Sequence, residues 1–132
     1  MSSEQAAGPV ELAVPATPAS LALLRAVVAA LAAGLDFTLD EIDDLRIAVD
    51  EAGSVLLPHA APDSRLTAAF HPSSGGLRVE VSVTVPDGPP AEPDRSSFAW
   101  LVLVSLTDST ELVRSGRRLA LALSRDRGRR DR

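Results

Sequence analysis

Asp43-Asp44-Leu45-Arg46-Ile47-Ala48-Val49-Asp50-Glu51-Ala52-Gly53-Ser54-Val55-Leu56-Leu57-Pro58-His59-Ala60 is the stretch on which the reading of this chain turns. With Ile42 just upstream, Leu45, Val49, Ala52 and Leu56 recur at helical spacing, so one face of a helix is apolar. The other face is densely acidic, with Asp43, Asp44, Asp50 and Glu51. Thr38-Leu39-Asp40-Glu41 supplies the start. A hydroxyl followed three residues later by Glu predicts a capping box, in which each side chain satisfies the other residue's free backbone amide. Acids in the first turn also suit the positive end of the helix dipole. Pro58 ends the run, because proline lacks the amide a helix needs.

Upstream, Val10-Glu11-Leu12-Ala13-Val14 alternates as a short strand does. Thr17-Pro18 predicts a helix start with a hydroxyl cap and proline at the first helical position. Leu21, Leu24, Val27, Val28, Leu31 and Leu35 share a face of that first helix, and Gly34 is the expected left-handed cap. Downstream the period changes from 3.6 to 2. Arg65 to His71 predicts a strand and Pro72-Ser73-Ser74-Gly75-Gly76 a turn. Leu77, Val79, Val81, Val83 and Val85 then point one way while Arg78, Glu80, Ser82 and Thr84 point the other, so the two strands make a hairpin.

Pro86 to Asp94 holds four prolines and a glycine in nine residues and is loop. Ser96 or Ser97 caps a third helix to about Leu106, and Thr110–Arg114 with Arg117–Ser124 form a last hairpin across Ser115-Gly116. The order β-α-α-β-β-α-β-β, with one apolar face per strand, predicts an α+β two-layer sandwich. Its helices lie on one face of a largely antiparallel sheet. The expected organisation is a disordered N-terminus over 1–7, one domain over 8–125 and an Arg-rich tail over 126–132.

Charge is uneven along the 132 residues. Residues 1–113 carry 16 acids and 5 arginines, whereas 114–132 carry 8 arginines and 2 acids, for a net −5. An acidic body argues against a nucleic-acid surface, which needs clustered cations. Arg125-Asp126-Arg127-Gly128-Arg129-Arg130-Asp131-Arg132 is the only basic cluster and is expected to be solvated. There is no cysteine, which excludes disulfides and thiolate metal sites. No apolar run reaches the roughly 20 residues that span a bilayer, and Met1 to Gly8 lacks the pattern of a secretory signal. The expectation is a cytoplasmic protein with no membrane or nucleic-acid partner. His59 and His71 stand alone, without ligand-type neighbours at metal-binding spacing, so no metal site is expected. No nucleophile elbow, Walker A loop or Cys-x-x-Cys is present. Trp100, among Leu101, Leu103 and Val104, is expected to pack in the core.

Leu45-Arg46-Ile47-Ala48-Val49-Asp50-Glu51-Ala52, in this element order, resembles the anti-sigma factors and serine-protein kinases of the GHKL (Bergerat-fold) ATPase superfamily. Ser97-Phe98-Ala99-Trp100-Leu101-Val102-Leu103 followed by Leu106-Thr107-Asp108 is similar to a divergent actinobacterial-type branch of it. The resemblance implies a general base at Glu51 and a Mg²⁺-ligating Asn one turn on, where Val55 stands. Val55 offers no oxygen to a cation that demands oxygen ligands. The implied adenine-binding Asp-x-Gly-x-Gly corresponds to Pro86-Asp87-Gly88-Pro89-Pro90. Pro86 replaces the Asp unless Asp87 takes its place, and Pro90 replaces the last glycine. Arg95-Ser96-Ser97-Phe98 lacks the phosphate-wrapping glycines, although amides at a helix start hold anions weakly.

The nucleotide motifs are thus degenerate, with Asp87 and Gly88 as a remnant. No cofactor is expected, with ATP and Mg²⁺, the family's cofactors, as the alternative. Glu51 is read either as a solvated helix acid or as a surviving base. Arg25 matches an arginine that family members place against their partners, or it is a snorkelling side chain. The resemblance implies an anti-sigma factor that binds an alternative sigma factor of the stress or sporulation type. An anti-anti-sigma (STAS-type) protein and a second copy are the further implied partners. An active serine-protein kinase acting on the anti-anti-sigma protein is the alternative.

Overall fold

The computed structural model describes residues 8–89 and 92–128. Five strands form one antiparallel sheet: β1 (Val10–Pro15), β2 (Arg65–Pro72), β3 (Gly76–Thr84), β4 (Ser109–Ser115) and β5 (Arg118–Asp126). Their spatial order is β1-β2-β3-β5-β4, so the last strand enters the sheet beside β3 and leaves β4 at the edge. Three α-helices, α1 (Leu21–Gly34), α2 (Leu39–Leu56) and α3 (Phe98–Leu106), supply the second layer of the expected sandwich.

The alternation in β3 works as its pattern implies. Leu77, Val79, Val81, Val83 and Val85 are buried, and Leu66, Ala68 and Phe70 of β2 and Leu119, Leu121 and Leu123 of β5 join them. Leu24, Val28 and Ala32 of α1 and Leu45, Val49, Ala52 and Leu56 of α2 close the core from the helix side. Gly53 makes the approach of the two helices possible: a Cβ there would meet Leu21 Cδ2 at 2.3 Å, far inside van der Waals contact.

Of the four predicted caps two match, Thr38 with Glu41 on α2 and Ser97 on α3, and two do not. Thr38 and Glu41 form the full capping box: Glu41 N–H donates to Thr38 Oγ1 (3.1 Å) and Thr38 N–H to Glu41 Oε1 (2.8 Å). Thr17 does not cap α1. Pro18–Ser20 form a separate 3-10 turn and α1 begins at Leu21, after Ser20. Nor is Gly34 the left-handed residue; Asp36 is, at φ 66°. Phe37 N–H bonds Ala32 O and Asp36 N–H bonds Ala33 O. This is the double closure of a Schellman motif, with a short polar residue taking glycine's place. Phe37, just beyond, is buried and clamps the helix end.

The basic C-terminal stretch is not one solvated unit. β5 continues through Asp126, and Arg125 is 1% exposed, the largest fully buried side chain described. Its Nη1 donates to Asp44 Oδ2 of α2 (3.0 Å) and to Leu106 O at the end of α3 (3.1 Å). Arg127 donates to Leu35 O and Ser74 O, and Gly128 N–H to Glu41 Oε2. Asp126, Arg127 and Gly128, the first three residues of the expected tail, are therefore tied to the body. The expected N-terminal segment 1–7 and residues 129–132 of the tail lie outside the described residues.

Candidate functional site

The residues singled out by sequence fall in two separate places, a groove between α1 and α2 and a hollow beside the loop after β3. On the face of α2 toward α1, Arg25, Asp43, Arg46, Ile47, Asp50 and Glu51 line an open groove of about 480 Å³. Helical spacing explains the set: 43, 46, 47, 50 and 51 recur at three and four residues and share one side of α2. The spacing of α1 from α2, permitted by Gly53, brings Arg25 over them. Arg25 Nη1 is ion-paired with Asp50 Oδ1, each side chain a little over a third exposed. Asp43 and Arg46 form a loose surface pair at 3.5 Å. Ile47 lies between them, 46% exposed. Glu51 is half-buried and has no hydrogen-bond or ion-pair partner among the described residues. Asp50, which sequence reading passed over as one more helix acid, is what holds Arg25; only the helix-to-helix distance reveals it.

At the other end of the site, Asp87 lines a separate hollow of about 220 Å³ with Pro58, His59, Ala60, Val85, Pro86, Pro89 and Arg114. It shares no lining residue with the Glu51 groove. The Asp87 carboxylate is exposed and pairs with Arg117 Nε at 3.3 Å, while that same Nε donates to Val85 O. Gly88 has φ 123° and open space around it. Pro90 lies outside the described residues.

Val55 packs against the core as a partly buried side chain. The start of α3 is also occupied. Ser97 Oγ accepts the Trp100 amide, and Asp94 accepts both the amide (2.9 Å) and the hydroxyl (2.7 Å) of Ser96. Those hydrogen bonds hold the Asp94 carboxyl below the usual carboxylate range. A carboxylate thus already sits before the helix end where a phosphate would be cradled, and it repels a second anion. Trp100 is half-buried against the core with the Arg95 guanidinium 5.8 Å from its ring centre, an arrangement with cation–π character.

These residues do not fit Mg²⁺-ATP. The position expected for the Mg²⁺ ligand holds a hydrocarbon, Pro86 stands where the adenine-binding Asp is expected, the exposed Asp87 beside it pairs with Arg117, and the start of α3 faces Asp94. Among the described residues no group of three or more His, Cys, Asp or Glu side chains is arranged to hold a metal ion, and no helix is long and apolar enough to cross a membrane.

A layer of helices on an antiparallel sheet, with an acidic second helix carrying Glu51, defines a class before any particular relative. Over residues 14–125 the chain matches the family described as histidine kinase-like ATPase domain, and it belongs to that family. Among particular proteins it is similar to anti-sigma-F factor RsbW of Mycobacterium tuberculosis. The two are 37% identical over 108 residues, 82% of this chain and 63% of that protein. Serine-protein kinase RsbW of Bacillus subtilis is 36% identical over 56 residues, 42% of this chain and 35% of its own. The chain thus spans less than two thirds of the length of these relatives. In fold it is similar to the crystal structure of the RsbU and RsbW domains of a Mycobacterium tuberculosis protein. The TM-score is 0.68 at 17% identity, covering 89% of this chain and 32% of that one.

Proposed function

We propose that this chain is an anti-sigma factor that sequesters an alternative sigma factor by direct binding, without phosphorylating anything. The observation that carries the reading is its 37% identity, across 82% of its length, to proteins named anti-sigma-F factor. The groove between α1 and α2 is the surface that suits the task. It offers an apolar centre at Ile47 within a rim of Arg25, Arg46, Asp43, Asp50 and Glu51, the anatomy of a protein interface rather than of a small-molecule pocket. The acidic body steers a basic partner toward it. Arg25 is a contact residue in this reading, and Asp87 and Gly88 belong to a nucleotide site that no longer works. A cytoplasmic setting, a STAS-type anti-anti-sigma protein that competes for the groove, and a homodimer complete the proposal.

The alternative, a serine-protein kinase, draws on the similarity to the Bacillus subtilis kinase and on the carboxylate at Glu51. One experiment separates the two. The chain is titrated by calorimetry with purified alternative sigma factors, and separately with ATP and Mg²⁺ followed by a phosphate-transfer assay on candidate STAS proteins. Sub-micromolar sigma binding with no phosphate transfer is expected. Micromolar ATP binding with transfer to a serine would overturn the non-kinase reading, and a silent sigma panel would overturn the anti-sigma reading.

A further inference from the structure

We infer that Glu51 is a docking carboxylate that takes an arginine or lysine of the bound partner, serving ion pairing rather than proton abstraction. The inference rests on the proposed sigma-binding reading and deepens it. Three observations converge. First, Glu51 opens into the groove with Arg25 and Ile47, away from the hollow lined by Asp87. A base would have to face a nucleotide, and the residues expected to hold one, Asp87 and Gly88, do not line this groove.

Second, the charges of the groove leave one acid over. Arg25 is matched by Asp50 and Arg46 by Asp43, so of the groove's three acids and two arginines Glu51 is the one without a counter-charge among the described residues. A half-buried carboxylate without a partner loses hydration when a protein covers it, and a cation from that protein restores the lost stabilisation. Third, Ile47 lies one turn before Glu51 on the same face and is 46% exposed. One turn separates an apolar anchor from a charge, so the matching segment carries an apolar side chain beside a basic one, as a helix does at i and i+4. Its cation meets Glu51 and its apolar side chain covers Ile47.

The test measures binding of the whole chain to each purified alternative sigma factor from its own genome, at several salt concentrations. Glu51→Gln is expected to weaken the cognate complex about tenfold and to flatten its salt dependence. Glu51→Asp is expected to retain most of the affinity. Glu51→Arg is expected to abolish binding, with recovery when one basic residue of the sigma factor is changed to Glu. Ile47→Arg is the control for the groove itself. If Ile47→Arg destroys binding while Glu51→Gln leaves affinity and salt dependence untouched, the docking role of Glu51 is wrong and the groove stands. If Glu51→Gln abolishes phosphate transfer to a STAS protein with sigma binding unchanged, Glu51 is a base and the inference falls. If no sigma factor binds the unaltered chain, the anti-sigma reading and this inference fall together.

Discussion

The two halves of α2 carry similar acids with opposite fates. At its start, Glu41 is buried and accepts hydrogen bonds from Thr38 N–H and Gly128 N–H, and Asp44 meets the buried Arg125. One turn or two further on, Asp50 holds only a partly exposed Arg25, and Glu51 has no partner among the described residues. The first pair closes the domain by tying the C-terminal strand to the helix start. The second faces solvent and is free to meet another molecule. Saturated charges stabilise a fold, and unsaturated ones at an open groove recognise partners.

The largest effect expected from breaking this division is at Arg125. Arg125→Ala strips Asp44 and Leu106 O of their donor inside the domain. It should lower stability by about 3–5 kcal/mol, the cost of leaving one member of a buried pair alone, as read from urea unfolding. The double change Arg125→Met with Asp44→Leu should recover most of that loss, because no uncompensated charge remains. Gly53→Ala comes next. Alanine ordinarily favours a helix by up to about 1 kcal/mol over glycine, but the clash with Leu21 is that of an overpacked core. A net loss of roughly 1–2 kcal/mol is expected in thermal or denaturant unfolding.

Glu41 adds a pH signature. Burial pushes its carboxyl up, but the Thr38 and Gly128 amides, the Thr38 side chain and the charge of Arg125 outweigh that and hold it below its ordinary value of 4.5. The folded chain therefore binds this proton more weakly than the unfolded one. The stabilisation is complete above the unfolded value and is lost as pH falls through the lower folded one. Unfolding followed between pH 6 and 3 should show an acid-side decline that is shallower in Glu41→Gln. That variant should be less stable at neutral pH, because a neutral amide accepts the two amides more weakly than a carboxylate does. The smallest expected effect is at Glu51. Glu51→Gln should shift stability by no more than about 0.5 kcal/mol, as a surface change away from any network does. A larger loss would show that the two halves of the helix are not so different.

Much of this division is invisible in the chain itself. Asp44 and Asp50 are the same residue on the same acidic helix; what separates them is an arginine 81 residues away in one case and 25 in the other. Arg125 was hidden further by its neighbours, since it begins a run that reads as a charged tail. The alternation of β5 extended two residues into that run was the available signal. The left-handed Asp36 was masked in the same way by Gly34, the residue type that more often takes such a position. By contrast Thr38 and Glu41 were legible because a capping box closes within four residues. Val55 was legible because a hydrocarbon offers no metal ligand whatever the structure around it.

Local order, then, was written in the chain: three helices, five strands and the changes of period between them follow from contacts a few residues apart, where side-chain spacing alone selects 3.6 or 2. Membership of the ATPase-like family was equally readable there. The sheet order β1-β2-β3-β5-β4, the burial of Arg125 and the pairing of Arg25 with Asp50 belong to the folded molecule. Each depends on which distant surfaces meet when the core closes. Apolar alternation says that a face is buried but not against what, and a charge pattern says that partners are needed but not which.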